Sequence, residues 1–298
     1  MMDRRHFLRT GVAGLSAAAL SSMIRPAARA EGIAADLAVV RGKSVSAAVT
    51  RAVEALGGIG HFIKQGETVL IKPNAAWDRT PELGATTHPE VVATLVRLCK
   101  QIGAGKVIVA DRTCHDAKKS FQSSGILEAA EKEGAVVMFE DLTYSARTFG
   151  GEGMKEWSLL DLYINADKVI NVPVVKHHGL SKMTCAMKNW FGAVGGKRAL
   201  LHADIHTTVA DLAAACRPSL TVVDATRVLL DNGPTGGSLD DVKVMDMVAA
   251  GYDQVACDAW ACTLMDMKWT DLGYLKKAAE RKIGETDLAK LKVEKLEL

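Results

Sequence analysis

TVLIKPNAAWDRTPELGATTHPEVVATLVRLCKQIGAGKVIVAD, residues Thr68–Asp111, is the stretch that decides the fold. Thr68–Ile71 is a short β-rich run stopped at Pro73, the pattern of a strand buried on both faces. Thr87-His88-Pro89-Glu90 reads as a capping box with proline in the first turn, opening a helix to about Ile102. Gly103 and Gly105 end that helix, and Lys106–Ala110 is a second β-rich run ending at Asp111. Strand, helix and strand in this order make a crossover unit, whose strands pair in parallel.

The alternation continues on both sides. Ser44–Leu56 reads as a helix ended by Gly57-Gly58, and further helices are expected near Ser124–Glu133, Thr207–Cys216 and Asp253–Met265. Strands are expected at Val136–Phe139, Lys168–Val172, Leu220–Val223 and Met245–Ala249. The expected fold is α/β: a mostly parallel or mixed sheet flanked by helices, with room for a small inserted lobe. Residues 31–298 read as a single domain, with the Gly-rich loop Phe149–Glu156 as its best internal break. The tail Leu288–Leu298 fits a strand or a helix.

The first thirty residues read differently. Asp3-Arg4-Arg5-His6-Phe7-Leu8-Arg9 precedes a mild apolar run, Gly11–Leu20, and then Ala28-Arg29-Ala30. A charged start, a short apolar stretch and small residues at a cleavage point describe an export signal, and paired arginines before Phe-Leu resemble the twin-arginine type. The run is shorter than the roughly 20 residues of a membrane span. The expectation is an exported, periplasmic protein of bacterial type, with the twin-arginine translocase as its partner during export and no transmembrane segment after cleavage. Loss of the leader, with five arginines and one aspartate, takes the formal net charge from +2 to −2. No concentrated basic face argues for nucleic acid, and no polybasic tract argues for a membrane surface.

The six cysteines form no Cys-x-x-Cys pair, so zinc-ribbon, thioredoxin and ferredoxin patterns are missing. Cys99 and Cys216 sit in apolar helical patterns and read as core. Cys114, Cys185, Cys257 and Cys262 are open.

Chemistry-bearing residues gather where strands should end. Ligands of open α/β sheets lie beyond the carboxyl ends of the strands. Lys72 and Asn74 follow the first strand, and Asp111 ends the second. Lys176, His177 and His178 follow Lys168–Val172, and Asp224 follows Leu220–Val223. An aspartate in that position either caps the next turn or enters a site.

The segment Lys176–His206, KHHGLSKMTCAMKNWFGAVGGKRALLHADIH, is the richest. Lys176, Lys182, Lys188 and Lys197, with Lys72, Asn74 and Asn189, suit a small anionic ligand or cofactor, held by ammonium groups and by backbone N–H groups at the glycines Gly192, Gly195 and Gly196. Gly192-Ala-Val-Gly-Gly-Lys197 is not a Walker A loop, since Arg198 stands where Ser or Thr is needed. His202 and His206, four apart, would face one side of a helix and could ligate a metal, although no glutamate follows His202 as in metalloproteases. Lys188, His178 and His202 are the candidates for proton transfer. No Gly-x-Ser-x-Gly elbow is present. Asp258, a carboxylate on an apolar helical stretch, needs a partner and is expected to pair with a lysine.

In this order, several elements resemble the domain of unknown function 362 family. They are Lys72-Pro-Asn74, Thr87-His-Pro89, Asp111, Pro173 with Lys176 and His178, and Met187-Lys188-Asn189 with Gly192. They continue with Lys197 and His202, Asp211, Asp224, Gly233-Pro234 with Gly236-Gly237, and Asp258. The resemblance covers about residues 72–258. It implies that the Lys, Asn, His and Asp positions line one pocket, including Asp111 and Asp224 as ligand-binding groups. It carries no settled activity. Some members of the family carry an added ferredoxin-like segment, which this chain lacks. The cofactor is therefore left open between a metal ion and an iron–sulfur cluster without ferredoxin-type cysteines. The expectation is an enzyme, redox-linked or not, acting on or with an anionic ligand or metal cofactor; the alternative is a protein that binds and delivers such a cofactor.

Overall fold

The computed structural model describes residues 35–298, and the leader expected over residues 1–30 lies outside them. In chain order the first elements are β1 (Leu37–Arg41), α1 (Val45–Ala55), β2 (Thr68–Pro73), α2 (Pro89–Gln101) and β3 (Lys106–Ala110). Next come α3 (Ala117–Ser123), α4 (Ile126–Lys132), β4 (Val136–Met138), β5 (Tyr144–Thr148), β6 (Glu156–Leu160) and α5 (Asp161–Asn165). They are followed by β7 (Lys168–Val172), β8 (Val174–His178), β9 (Lys182–Thr184) and α6 (Ile205–Ala215). The chain closes with β10 (Leu220–Leu229), β11 (Val242–Gly251), α7 (Gln254–Leu264), α8 (Gly273–Glu280) and β12 (Val293–Glu297).

The main sheet runs β12-β1-β11-β10-β7-β2-β3-β4, with β8 paired to β10 and β9 paired to β8. It is mixed. β7, β2, β3 and β4 are mutually parallel, whereas β11 is antiparallel to both β1 and β10. Side chains alternate across the sheet, so each strand feeds two cores. Val69 and Ile71 of β2 face the layer of α1, α2 and α4, while Leu70 faces the layer of α6, α7 and α8. Both faces are covered, which explains why these strands read as unbroken apolar runs. The hairpin β5–β6 forms a separate two-stranded sheet inserted between β4 and β7. Among the described residues no helix is long and apolar enough to cross a membrane.

Two local expectations are corrected. Thr87 does not cap α2: the cap is His88, whose Nδ1 accepts the Glu90 N–H at 3.1 Å. Thr87 turns inward instead, donating to the Val172 carbonyl at 2.7 Å and accepting the Asn74 N–H at 2.8 Å, which ties the start of α2 to the ends of β2 and β7. The Gly-rich loop 149–156 is no free break. The buried Asp211 carboxylate accepts the N–H groups of Glu152, Gly153 and Met154 and pairs with Arg281 at 2.6 Å. A Cβ on Gly151 would lie 2.2 Å from the Asp211 carboxyl carbon, so only glycine fits that clasp. Past Pro173 the chain forms a further strand, β8, which lies beside β10 and turns back into β9.

Candidate anion-binding site

Parallel strands β2, β3 and β7 end side by side, so their next residues meet. Lys72 is the fifth residue of β2 and shares the face of Leu70, with its side chain directed toward the layer of α6 and α7. There its ammonium pairs with Asp111, just past β3, at 2.7 Å, with the two groups 1% and 2% exposed. The other Asp111 oxygen accepts the Ala75 N–H at 2.8 Å. Burial pushes the Lys72 pKa down, against the opposing pull of Asp111. Gly192 is required here, since a Cβ would fall 1.8 Å from Asp111 Oδ1.

An amide network continues this wall. Asn74 Nδ2 donates to Asn189 Oδ1 at 3.2 Å, and Asn189 Nδ2 donates to Asn171 Oδ1 at 2.8 Å. Lys176, on β8, donates to Asn74 Oδ1 at 3.2 Å and makes a very short contact with the Ala85 carbonyl. Burial, then the neighbouring Lys188 charge, lowers the Lys176 pKa to about 7.

In front of the wall lies a cavity of about 780 Å³. Of the residues singled out in the sequence, Asn74, Asp111, Lys176, His178, Lys188, Asn189, Lys197 and His202 line it; Lys72 stands behind Asp111. Lys188 opens a short 3-10 turn, Lys188–Ala193, that Asp258 holds from α7 by accepting the Ala186 N–H at 2.6 Å and the Met187 N–H at 3.3 Å. Asp258 therefore pairs with backbone N–H groups and not with the expected lysine, and burial pushes its pKa up to about 7.

The Lys188 ammonium lies 4.6 Å from the centre of the Phe191 ring and has no hydrogen-bond partner among the described residues, although the side chain is only 7% exposed. Burial lowers its pKa to about 8, with a smaller push from Arg198. His178 and His202 stack beside it, ring centroids 6.4 Å apart. Burial, followed by the charge of Lys188, brings the His178 pKa down to about 3 and also lowers that of His202.

Two expected residues fall elsewhere. Asp224 does not line the cavity. Its carboxylate accepts the His88 N–H at 2.7 Å and the Thr226 N–H and hydroxyl at 2.9 and 2.7 Å, so it knots β10 to the start of α2. His206 is not beside His202. The 3-10 turn Arg198–His202 ends, and Asp204 caps a new helix, α6, so the two histidines share no helix face. The His206 ring lies against Tyr274 instead. Among the described residues no group of three or more His, Cys, Asp or Glu could hold a metal ion. The six cysteines are unpaired, and only Cys114 is exposed, at the cavity.

Four cavity residues escaped sequence reading. Arg198 donates to the carbonyls of Arg112 and Thr113, at 2.9 and 2.5 Å, and lies 3.8 Å from Cys114 Sγ. Arg112 donates to the carbonyls of Val194 and Gly196, and Trp77 and Phe191 add apolar walls. Both arginines were signalled only by position, one after Asp111 and one inside the Lys176–His206 run.

Fold and site together define an α/β protein with a cation-rich cavity at the carboxyl ends of its strands. The chain belongs to the family described as domain of unknown function DUF362, whose model matches residues 69–263. A thylakoid-associated protein of Synechocystis sp. is 30% identical over 230 residues, covering 72% of this chain and 68% of that one. Among solved structures, a protein of Thermotoga maritima matches with a TM-score of 0.40 and 11% identity over 76% of this chain. The lactate racemase apoprotein of Thermoanaerobacterium thermosaccharolyticum matches with a TM-score of 0.42 and 15% identity over 77%. This chain spans 60% and 56% of those two proteins.

Proposed function

We propose that this protein is an exported enzyme acting on a small anion bound in the cavity, with Lys188 as its main charge contact. The observation that carries this reading is Lys188, a side chain only 7% exposed whose ammonium faces the cavity with no hydrogen-bond partner among the described residues. Burying an unpaired charge is costly, so such a group is retained where a ligand completes it. Among the described residues Asp111 is the only carboxylate lining the cavity, and Lys72 already neutralises it. Lys197 and Lys176 add positive charge, and Asn74 and Asn189 add polar atoms to the wall.

Proton transfer is within the means of the site. Lys176 and Lys188, with pKa values near 7 and 8, change charge near neutral pH, where general acid–base groups work best. His178 and His202 stand beside them. Export rests on the leader, Arg4-Arg5-His6-Phe7-Leu8. Replacing Arg4 and Arg5 by lysine should keep the protein in the cytoplasm, as read by cell fractionation.

The site is tested by calorimetry with inorganic phosphate and short carboxylates against neutral amides of equal size. Anions should bind, neutral amides should not, and Lys188→Met should weaken anion binding tenfold or more. Equal binding of the neutral compounds, or an unaffected Lys188→Met variant, overturns the site. Turnover is read by NMR after incubation with the small anions of a cell extract. Consumption of one compound by the native protein but not by Lys188→Met supports an enzyme; binding without consumption of any compound favours the delivery role.

A further inference from the structure

The two cavity histidines have their tautomers set by the backbone around them, and the tautomers are opposite. His178 Nδ1 accepts the N–H groups of Leu180 and Ser181, at 3.1 and 3.3 Å. A ring nitrogen that accepts carries no proton, so the neutral His178 ring carries its proton on Nε2. His202 is reversed. Its Nδ1 lies 3.1 Å from the Arg198 carbonyl, which can only accept. The proton is therefore on Nδ1, and Nε2 keeps its lone pair.

These rings lie nearly parallel, 15° apart, with centroids separated by 6.4 Å. Both line the cavity with Lys188, and neither Nε2 has a hydrogen-bond partner among the described residues. One Nε2 donates and the other accepts. With the centroids 6.4 Å apart, one bound oxygen reaches both rings where their Nε2 edges turn toward it. An ionised carboxylate oxygen only accepts, so it would satisfy His178 and oppose the lone pair of His202. A hydroxyl oxygen does both, accepting from one ring and donating to the other.

We infer that His178 and His202 form a donor–acceptor clamp for a hydroxyl group, so that the ligand is a small anion carrying a hydroxyl besides the carboxylate or phosphate that rests on Lys188. This rests on the anion site proposed above. The surroundings preserve the arrangement. Burial and the cations Lys176, Lys188 and Arg198 keep both rings neutral at pH 7, and the Phe191 ring, 5.1 Å from His202, holds that imidazole edge-on. A site built to bond a hydroxyl rejects the analogue without it, because the polar groups are then left unpaired.

The test is calorimetry on the native protein with matched pairs: 3-hydroxybutyrate against butyrate, glycerate against propionate, and glycerol 3-phosphate against propyl phosphate. In at least one pair the hydroxylated member should bind tenfold or more tightly, and His202→Phe should bring that pair within twofold. Nitrogen-15 NMR of the imidazoles in the unsubstituted protein supplies a readout independent of any variant. It should place the proton on Nε2 of His178 and on Nδ1 of His202. Anion binding with no hydroxyl preference in any pair, or a His202 proton found on Nε2, overturns the clamp and leaves the anion site standing. Failure of every anion to bind overturns both.

Discussion

Lys72 and Lys188 are both lysines of one site, 1% and 7% exposed, but their surroundings treat charge in opposite ways. Lys72 is matched by Asp111 at 2.7 Å and braced by the Pro73 carbonyl at 3.0 Å. Lys188, lining the cavity, has an aromatic face and a neighbouring arginine but no carboxylate partner. A buried pair is closed business for the fold, holding two strand ends together. A lone ammonium on a buried stem, open only to the cavity, is a handle for a ligand. The comparison teaches that the back of this site belongs to structure and the front to binding.

The largest effect should come from breaking the matched side. Asp111→Asn strands the Lys72 ammonium, and removing one partner of a buried pair costs about 3–5 kcal/mol. Denaturant unfolding reads this, and an unchanged midpoint would mean that the pair does not hold the wall. Next, Asp224→Asn should cost about 1–3 kcal/mol through weakened bonds to His88 and Thr226, with anion affinity untouched. A loss of affinity there would return Asp224 to the site.

Lys188→Met is expected to behave in the opposite sense from Asp111→Asn. Stability should hold or rise, since an uncompensated charge is removed, while anion affinity falls tenfold, about 1.4 kcal/mol. Parallel loss of stability would make Lys188 a structural lysine like Lys72. A smaller effect is set by pH. Lys176 and Lys188 have lowered pKa values, so their ammonium forms are present below about 7 and about 8 respectively and are lost above. Anion affinity should therefore decline as pH rises through that range, and the Lys188→Met variant should lose the upper part of the decline. The smallest effect is at His206, where a change to Gln should leave anion affinity unaltered, because its ring lies against Tyr274 away from the cavity.

Much of the framework was legible. Lys106–Ala110 and Lys168–Val172 are strands at the bounds read from the sequence, because buried parallel strands are short, continuous and apolar. Ser44 caps α1 through its hydroxyl, as its position before the apolar periodicity implies. β8 and β9 were not legible, because Pro173 and the polar Lys176-His177-His178 look like a loop. What makes them strands is pairing with β10 and with each other. The site was half legible. Strand-end topology accounts for Lys72 and Asn74, whereas Lys176 comes from β8 and Lys188, Asn189 and His202 come from the 3-10 turns after β9. The His202–His206 pairing failed because a four-residue spacing means a shared face only if one helix runs through it, and here a cap intervenes.

Sequence alone determined the α/β alternation, the two-faced burial of the strands and the family, because these depend on local periodicity and on motifs in order. Only the tertiary structure decided which charges are matched. Lys72 and Lys188, Asp111 and Asp224 are chemically alike in the chain. They are distinguished by partners from distant strands and helices, and the energy of a buried charge depends on what lies within a few ångströms of it.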